Sequence, residues 1–128
     1  MTRDVFTVHP EDLVDLAASL MEWEHVRHVP VEDHQGRLVG LVGHRALLRM
    51  VGRGVKSLQT PVAVREIMRH DPLTISPDAS TLDAMRTMRE HRVSCLPVVQ
   101  DGRLVGIVTE HDFVEVARAL LEKELEAE

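Results

Sequence analysis

The chain has 128 residues, of which 44% are hydrophobic and 28% charged, and its formal net charge at pH 7 is -6. These values allow a folded core, whereas the lack of an apolar run near 18 residues excludes a membrane span. The negative charge and the three aromatic side chains (two Phe and one Trp) argue against a nucleic-acid binder, which needs basic surface and stacking platforms. One cysteine and no signal-peptide pattern predict a cytoplasmic location.

The first half of the chain predicts the element order β-α-β-β-α. A short strand, Val5–Val8, leads to the acidic pair Glu11-Asp12, which suits a helix start. Apolar residues then recur at three- and four-residue spacing over residues 13–21, as in an amphipathic helix. Two strands, the second at Leu38–Val42, and a helix at Arg45–Val51 complete this unit.

The second half predicts the same order. A strand at Leu73–Ile75 precedes a polar helix start at Asp78-Ala79-Ser80. The dipeptide Asp101-Gly102 is a strong hairpin signal in front of a strand at Leu104–Val108. A last helix is predicted from Asp112 through Glu124, so the two halves share one pattern.

The two halves are also copies of one sequence. The segment Val26-Arg27-His28-Val29-Pro30-Val31 recurs as Val93-Ser94-Cys95-Leu96-Pro97-Val98 at an offset of 67. The offset drops to 66 after the turn, because the first copy has one extra residue within 32–35. We therefore predict a first unit with its connector over residues 1–60 and a second unit with the C-terminal helix over 61–128. A flexible connector from Gly52 to Pro61 and a short helical piece at Val64–Met68 lie near the boundary.

A specific motif identifies the family that the repeat resembles. The run His-Arg-Val-Ser-x-Leu-Pro-Val-Val at 91–99, followed by Gly-Arg-Leu-Val-Gly-Ile-Val-Thr-x-x-Asp at 102–112, resembles a tandem pair of cystathionine-β-synthase (CBS) domains, or Bateman module. The resemblance implies an α/β (α+β) fold in which two pseudo-twofold-related β-α-β-β-α units form one compact module. It also implies a non-catalytic regulatory homodimer that binds AMP, ADP, ATP or S-adenosylmethionine between its units and signals to a partner domain or protein.

The resemblance places the ligand on the second copy. Thr109, at the start of the last helix, offers a hydroxyl and free helix amides to a phosphate. The carboxylate of Asp112 could accept both ribose hydroxyls. Contacts to the adenine fall on Leu73, Val93, Ser94 and Cys95. The alternative for Thr109 and Asp112 is a helix N-cap pair without a ligand.

The first copy departs from this pattern, since Gly43 and Ala46 replace Thr109 and Asp112. We therefore expect one nucleoside per chain, held by the second copy. The first copy instead carries four basic candidates for phosphate contacts across the cleft: Arg27, His28, His44 and Arg45. The alternative is that each of these side chains is solvated surface.

Other signals predict neither a metal site nor an enzyme. The eight histidines are scattered, and none form the His-x-x-x-His spacing of a helical zinc site. Cys95 lies in an apolar strand, where a thiol behaves as a small hydrophobe, and no nucleophile or P-loop motif is present. The sequence therefore predicts no catalytic cofactor.

The first and last helices have more apolar residues than one buried stripe requires. Trp23 aligns with Glu90 of the other copy, which makes it a candidate interface residue, with a place at the edge of the core as the alternative. Such surface favours a homodimer in which helices form the contact. The alternative is that this apolar surface docks onto an effector domain.

Overall fold

The structure is a computed structural model that describes residues 2–52 and 61–127. Over these residues, four α-helices, five strands and one short 3-10 turn follow one another in chain order: α1 Val14–Glu24, β1 His28–Glu32, β2 Leu38–Gly43, α2 His44–Gly52, the turn Val64–Glu66, β3 Arg69–His70, α3 Thr81–His91, β4 Cys95–Gln100, β5 Arg103–Thr109 and α4 Glu110–Ala127. The mixed fold with small sheets is thus confirmed. Most of the predicted connector lies outside the described residues.

Each copy builds its sheet around one antiparallel hairpin. The strands β1, β2 and β3 form the first sheet in that order, and β4 and β5 form the second. Asp101 and Gly102 at the β4–β5 turn have φ values of 54° and 80°, as a type I′ turn requires. The hairpin predicted at this dipeptide is therefore confirmed.

The strands predicted at Val5–Val8 and Leu73–Ile75 are wrong in extent. In the first copy a single parallel bridge joins Val8 to Val31. In the second copy a matching bridge joins Ile75 to Val98. The chain before Val8 cannot follow β1, because Thr2 exchanges two 2.9 Å backbone hydrogen bonds with Ile107 of the other sheet. The N-terminal segment therefore crosses from one copy to the other.

The two copies begin their first helices differently. Before α3, the Ser80 hydroxyl accepts from the Asp83 amide at 3.0 Å, and the Asp83 carboxylate accepts from the Ser80 amide at 3.4 Å, which is a capping box. Before α1, the N-cap is Leu13, whose side chain has no acceptor. The Asp12 carboxylate instead accepts from the His9 amide at 2.7 Å. The predicted cap is confirmed at Ser80 and wrong at Glu11-Asp12.

Two hydrophobic clusters form the core, one for each sheet. The first contains Val8, Ala17, Val29 and Val64 among its buried members. The Val64 amide donates to the Asp12 carbonyl at 2.7 Å, and β3 pairs with β2. Residues 62–70 therefore pack with the first sheet and its core, although they follow the predicted boundary at 60/61, which stays a prediction.

Candidate functional site

Most of the predicted ligand residues lie where β5 continues into α4. Cys95 pairs with Thr109 across the second hairpin, and the Glu110 amide donates to the Ser94 carbonyl at 3.2 Å. Asp112 follows in the first turn of α4. The two remaining residues, Leu73 and Val93, are partly buried against the second core cluster. The fold therefore places all six residues on the second copy, around one sheet edge and its core.

A short contact joins the two residues of the predicted ribose and phosphate pair. The Asp112 carboxylate accepts from the Thr109 amide at 2.8 Å, and both residues are half-buried. Asp112 thereby occupies the same position on α4 as Asp83 does on α3, three residues after the N-cap. The cap interaction, which was the alternative interpretation, is thus present in the structure.

Asp112 also lines a cavity of about 390 Å³ between the start of α3 and the first turns of α4. This volume lies within the range of small-molecule pockets. Among the described residues that line it, Asp112 is the one that the sequence predicted; the others include Ser76, Ser80 and the apolar Val98, Val108 and Phe113. Leu73, Val93, Ser94, Cys95 and Thr109 are not among the residues that line this cavity. Among the polar residues that line the cavity besides Asp112, Ser80 is the one that the sequence indicated, as part of a helix start.

The basic residues of the first copy meet the ligand motif of the second. The His28 imidazole Nε2 lies 3.3 Å from the Ser94 hydroxyl. The His44 amide donates to the Arg27 carbonyl at 2.9 Å, and Arg45 follows directly in α2. His44, Arg27 and Arg45 act electrostatically on His28, so the four candidates form one group around the residue that contacts Ser94. The side chains of Arg27 and Arg45 are exposed.

His28 differs from the other basic residues in its charge. Burial is the largest effect, followed by the positive charges of His44, Arg27 and Arg45, and together they lower the pKa of His28 from 6.5 to about 4. The ring is therefore neutral at pH 7. Without a ligand, His28 therefore offers hydrogen bonds and no positive charge, and its contact with a phosphate stays a prediction.

Cys95 is buried, and burial raises the pKa of its thiol to about 12, with the nearby Asp112 charge adding to the effect. A thiol that is not deprotonated at neutral pH is a poor nucleophile. Its role in the structure is to fill space beside the ligand motif.

The structure brings together histidines that are distant in the sequence. The rings of His9 and His34 stack with their centroids 4.4 Å apart. Linear spacing could not predict this contact, because the two residues lie on different loops of the first copy.

Several helices leave apolar side chains in solvent. Trp23 on α1 is 69% exposed, which excludes the core-edge position that was its alternative. On α4 the exposed apolar residues are Val114, Val116, Leu120, Leu121 and Leu125. Within the described ranges, no helix combines the length and the apolar character that crossing a membrane demands.

Comparison with known proteins identifies the repeat. The CBS domain family model matches residues 1–53 and 64–119. The CBS domain-containing protein YhcV of Bacillus subtilis is 38% identical over 114 residues, which are 88% of this chain and 79% of that protein. The inosine-5'-monophosphate dehydrogenase of Methanocaldococcus jannaschii is 32% identical over 114 residues, but the match is 88% of this chain and only 22% of the enzyme. Similarity to such enzymes therefore concerns about a fifth of their length.

Solved structures agree in fold. A Vibrio cholerae protein described as an acetoin utilization protein (AcuB) has a TM-score of 0.83 and 37% identity, with 100% of this chain and 93% of that chain covered. The structure of CBSX2 in complex with AMP has a TM-score of 0.81 and 31% identity, with 94% and 93% covered. The CBS domain pair of protein MJ0100, in complex with 5'-methylthioadenosine and S-adenosyl-L-methionine, has a TM-score of 0.80 and 25% identity, with 90% and 92% covered.

Proposed function

Since the chain belongs to the CBS domain family, we propose that it is a non-catalytic regulatory module whose second copy binds an adenosyl ligand in the cleft between the copies. The observation that carries this proposal is the 3.3 Å approach of Ser94 to His28. It sets the ligand motif of one copy against the basic residues of the other. The complexes of CBSX2 with AMP and of the MJ0100 pair with S-adenosyl-L-methionine support the ligand class.

Each part of such a ligand has a matching group. The amides at the start of α4 and the Thr109 hydroxyl suit a phosphate, and the Asp112 carboxylate suits the ribose hydroxyls. Leu73, Val93 and Cys95 offer apolar contact to the adenine, with the Ser94 hydroxyl beside them. The exposed guanidinium groups of the first copy supply the positive charge that longer phosphate chains require.

Regulation follows from the position of the cleft. A ligand shifts the equilibrium between two arrangements of the copies only by its difference in affinity for them. Because His28 and Ser94 belong to different copies, a ligand that changes their separation changes the arrangement of the units. A partner domain or a separate effector protein would read that change.

The first copy should bind no nucleoside of its own, so the expected stoichiometry is one ligand per chain. Gly43 has no hydroxyl for a phosphate, and Ala46 has no carboxylate for ribose. A crystal structure of the complex would show adenine beside the second copy. Density for adenine beside Phe6 and Val26, with ribose near Ala46, would contradict this stoichiometry.

Isothermal titration calorimetry with AMP, ADP, ATP and S-adenosylmethionine tests the proposal, with GMP as the control for base specificity. Saturable binding of at least one adenosyl ligand, without equal binding of GMP, is expected. If none of the four binds, the second candidate function holds: a structural dimerisation module without a ligand. The 2.8 Å contact between Thr109 and Asp112 favours this second candidate, because it gives both residues a structural role.

We also infer that the protein is a homodimer in which helices form the contact. The exposed apolar residues of α1 and α4 would form a large apolar patch on a monomer. A twofold dimer buries the same patch on both chains. The alternative is that an effector domain docks on this surface. In that case this chain by itself would be a monomer.

A further inference from the structure

Three potential metal ligands of the first copy meet at the end of its hairpin. His9 directly follows the bridge residue Val8, Glu11 lies two residues later, and His34 lies in the β1–β2 turn. One ligand atom from each of the three lies within 4.8 Å of the others. The His34 Nε2 forms a hydrogen bond with the Glu11 carboxylate, and its ring stacks on that of His9. Two imidazoles and a carboxylate thus surround one point at the surface.

The structure also fixes which nitrogen of His9 is available. Its Nδ1 lies 2.9 Å from the backbone carbonyl oxygen of Glu32. A carbonyl can only accept, so Nδ1 is the donor, and in the neutral ring Nε2 is the nitrogen left to bind a metal. A hydrogen bond from one ring nitrogen to a carbonyl is the usual way in which a protein orients a metal-binding histidine.

The turn that holds His34 is itself fixed by hydrogen bonds. The Asp33 carboxylate accepts from the amides of Gln35 and Arg37, each at 2.9 Å. The Gly36 amide donates to the Asp33 carbonyl at 3.1 Å. The backbone that carries His34 is thereby organised before any ion binds.

We propose that His9, Glu11 and His34 form a divalent transition-metal site, and that zinc is the ion that they match. Two histidines and one carboxylate are a known zinc donor set, with water as the fourth ligand. Metal–ligand distances of about 2.0–2.2 Å place tetrahedral donor atoms roughly 3.3 Å apart. The exposed side chains of Glu11 and His34 can reach this spacing by small rotations, because half or more of each is in solvent.

The repeat supplies an internal comparison. At the offset of 67, Ser76 replaces His9 and Asp78 replaces Glu11. His34 lies in the segment that contains the extra residue of the first copy, so it has no counterpart in the shorter second turn. The site therefore belongs to the first copy alone, and we expect one ion per chain, independent of whether a nucleotide is bound.

Calorimetry of the chelator-treated chain with ZnCl₂, together with the absorption spectrum of the Co²⁺ form, tests the proposal. We expect one ion per chain and cobalt bands typical of a four-coordinate site. The variants His9→Ala and His34→Gln should each bind zinc at least tenfold more weakly and lose those bands. The matched control is His111→Gln, since His111 lies 3.4 Å from Glu115 in an exposed pair that no third metal-binding residue of the described chain joins.

Circular dichroism shows whether each variant folds, and Glu11→Gln is a third variant that leaves both rings in place. If the wild-type chain binds no zinc at micromolar concentration, the proposal is wrong. Zinc binding that survives both histidine substitutions, or that His111→Gln weakens equally, would overturn it as well. None of these measurements depends on nucleotide binding, so the metal site and the proposed function fail separately.

Discussion

Arg37 and Gly102 meet where the tips of the two hairpins cross. A Cβ built on Gly102 would lie 3.1 Å from the Arg37 guanidinium, and one on Gly36 would lie 2.9 Å from that of Arg103, so the contact is reciprocal. The Gly102 carbonyl accepts from the Leu38 amide at 3.1 Å. These tips join the two copies around their pseudo-twofold axis.

Replacing Gly102 with alanine should therefore destabilise the protein. Its φ of 80° lies in the left-handed region, where a side chain costs about 1–2 kcal/mol. Urea unfolding should show the loss as a lower midpoint. The control is Gly52→Ala, since a Cβ there would meet no atom of the described residues within 4 Å and should leave stability unchanged or raise it. Equal midpoints for Gly102→Ala and wild type would contradict the prediction.

The variant Asp112→Ala should weaken adenosyl-ligand binding. The loss of a charge-assisted pair to ribose corresponds to about 1.5–3 kcal/mol, or roughly 10- to 150-fold in Kd. Calorimetry measures this change. The matched control is Asp83→Ala, which removes the equivalent carboxylate from the capping box of α3. Both variants should lose some stability, but only the first should lose affinity. Wild-type affinity in Asp112→Ala would show that this carboxylate is a cap alone.

Stability should fall as the pH is lowered from about 6.5 to about 4. His28 has a pKa of about 4 in the folded chain, against 6.5 as its ordinary value. Between these values the unfolded chain binds more protons than the folded one, so acidification favours unfolding. After solvent screening at a half-buried ring, the effect is on the order of 1–2 kcal/mol.

Urea unfolding of wild type and His28→Gln at pH 7 and pH 4.5 measures this effect. Glutamine keeps a hydrogen-bonding group near Ser94 and does not titrate. The variant should therefore lose less stability than wild type between the two pH values. Parallel losses in both proteins would show that other groups cause the pH dependence.

Trp23→Glu should shift the protein from dimer toward monomer. Trp23 is 69% exposed, and a carboxylate in an apolar contact is costly to desolvate. Light scattering at micromolar concentration should give about twice the chain mass of 14.4 kDa for wild type and a lower mass for the variant. Glu90→Gln, at the aligned position of the second copy, should leave the mass unchanged. A wild-type species of 14.4 kDa would show that the helix faces do not dimerise the chain.

The repeat and its turns could be predicted from the sequence because they depend on local chemistry. The pattern Asp101-Gly102 requires positive φ values, and Ser80 before a helix offers an acceptor at the correct place. The helix start at Glu11-Asp12 was wrong for the opposite reason. There the bridge between Leu13 and Ala63 and the 2.9 Å hydrogen bond from the Val14 amide to the Val62 carbonyl join distant segments, and α1 begins only at Val14.

Features that depend on distant contacts could not be predicted. The crossing of Thr2 to Ile107, the inclusion of Val64 in the first core and the stacking of His9 on His34 each join segments far apart in the chain. The neutrality of His28 is of the same kind, since it results from burial and from charges that the fold collects around the ring. Of the residues that line the cavity, the sequence motif predicted Asp112, and the others are not among the ligand contacts that the motif predicted.

Each unit depends on a chain segment that lies within the sequence range of the other unit. Residue 2 completes the sheet of the second copy, and residues 62–70 complete the sheet of the first. A single repeat cut out at its sequence boundary would lose β3 and the buried Val64 from the first copy, or the Thr2 bridge from the second. Either loss would leave a strand edge unpaired. The intact pair therefore keeps both sheets paired, whereas either half alone would lose part of its own sheet.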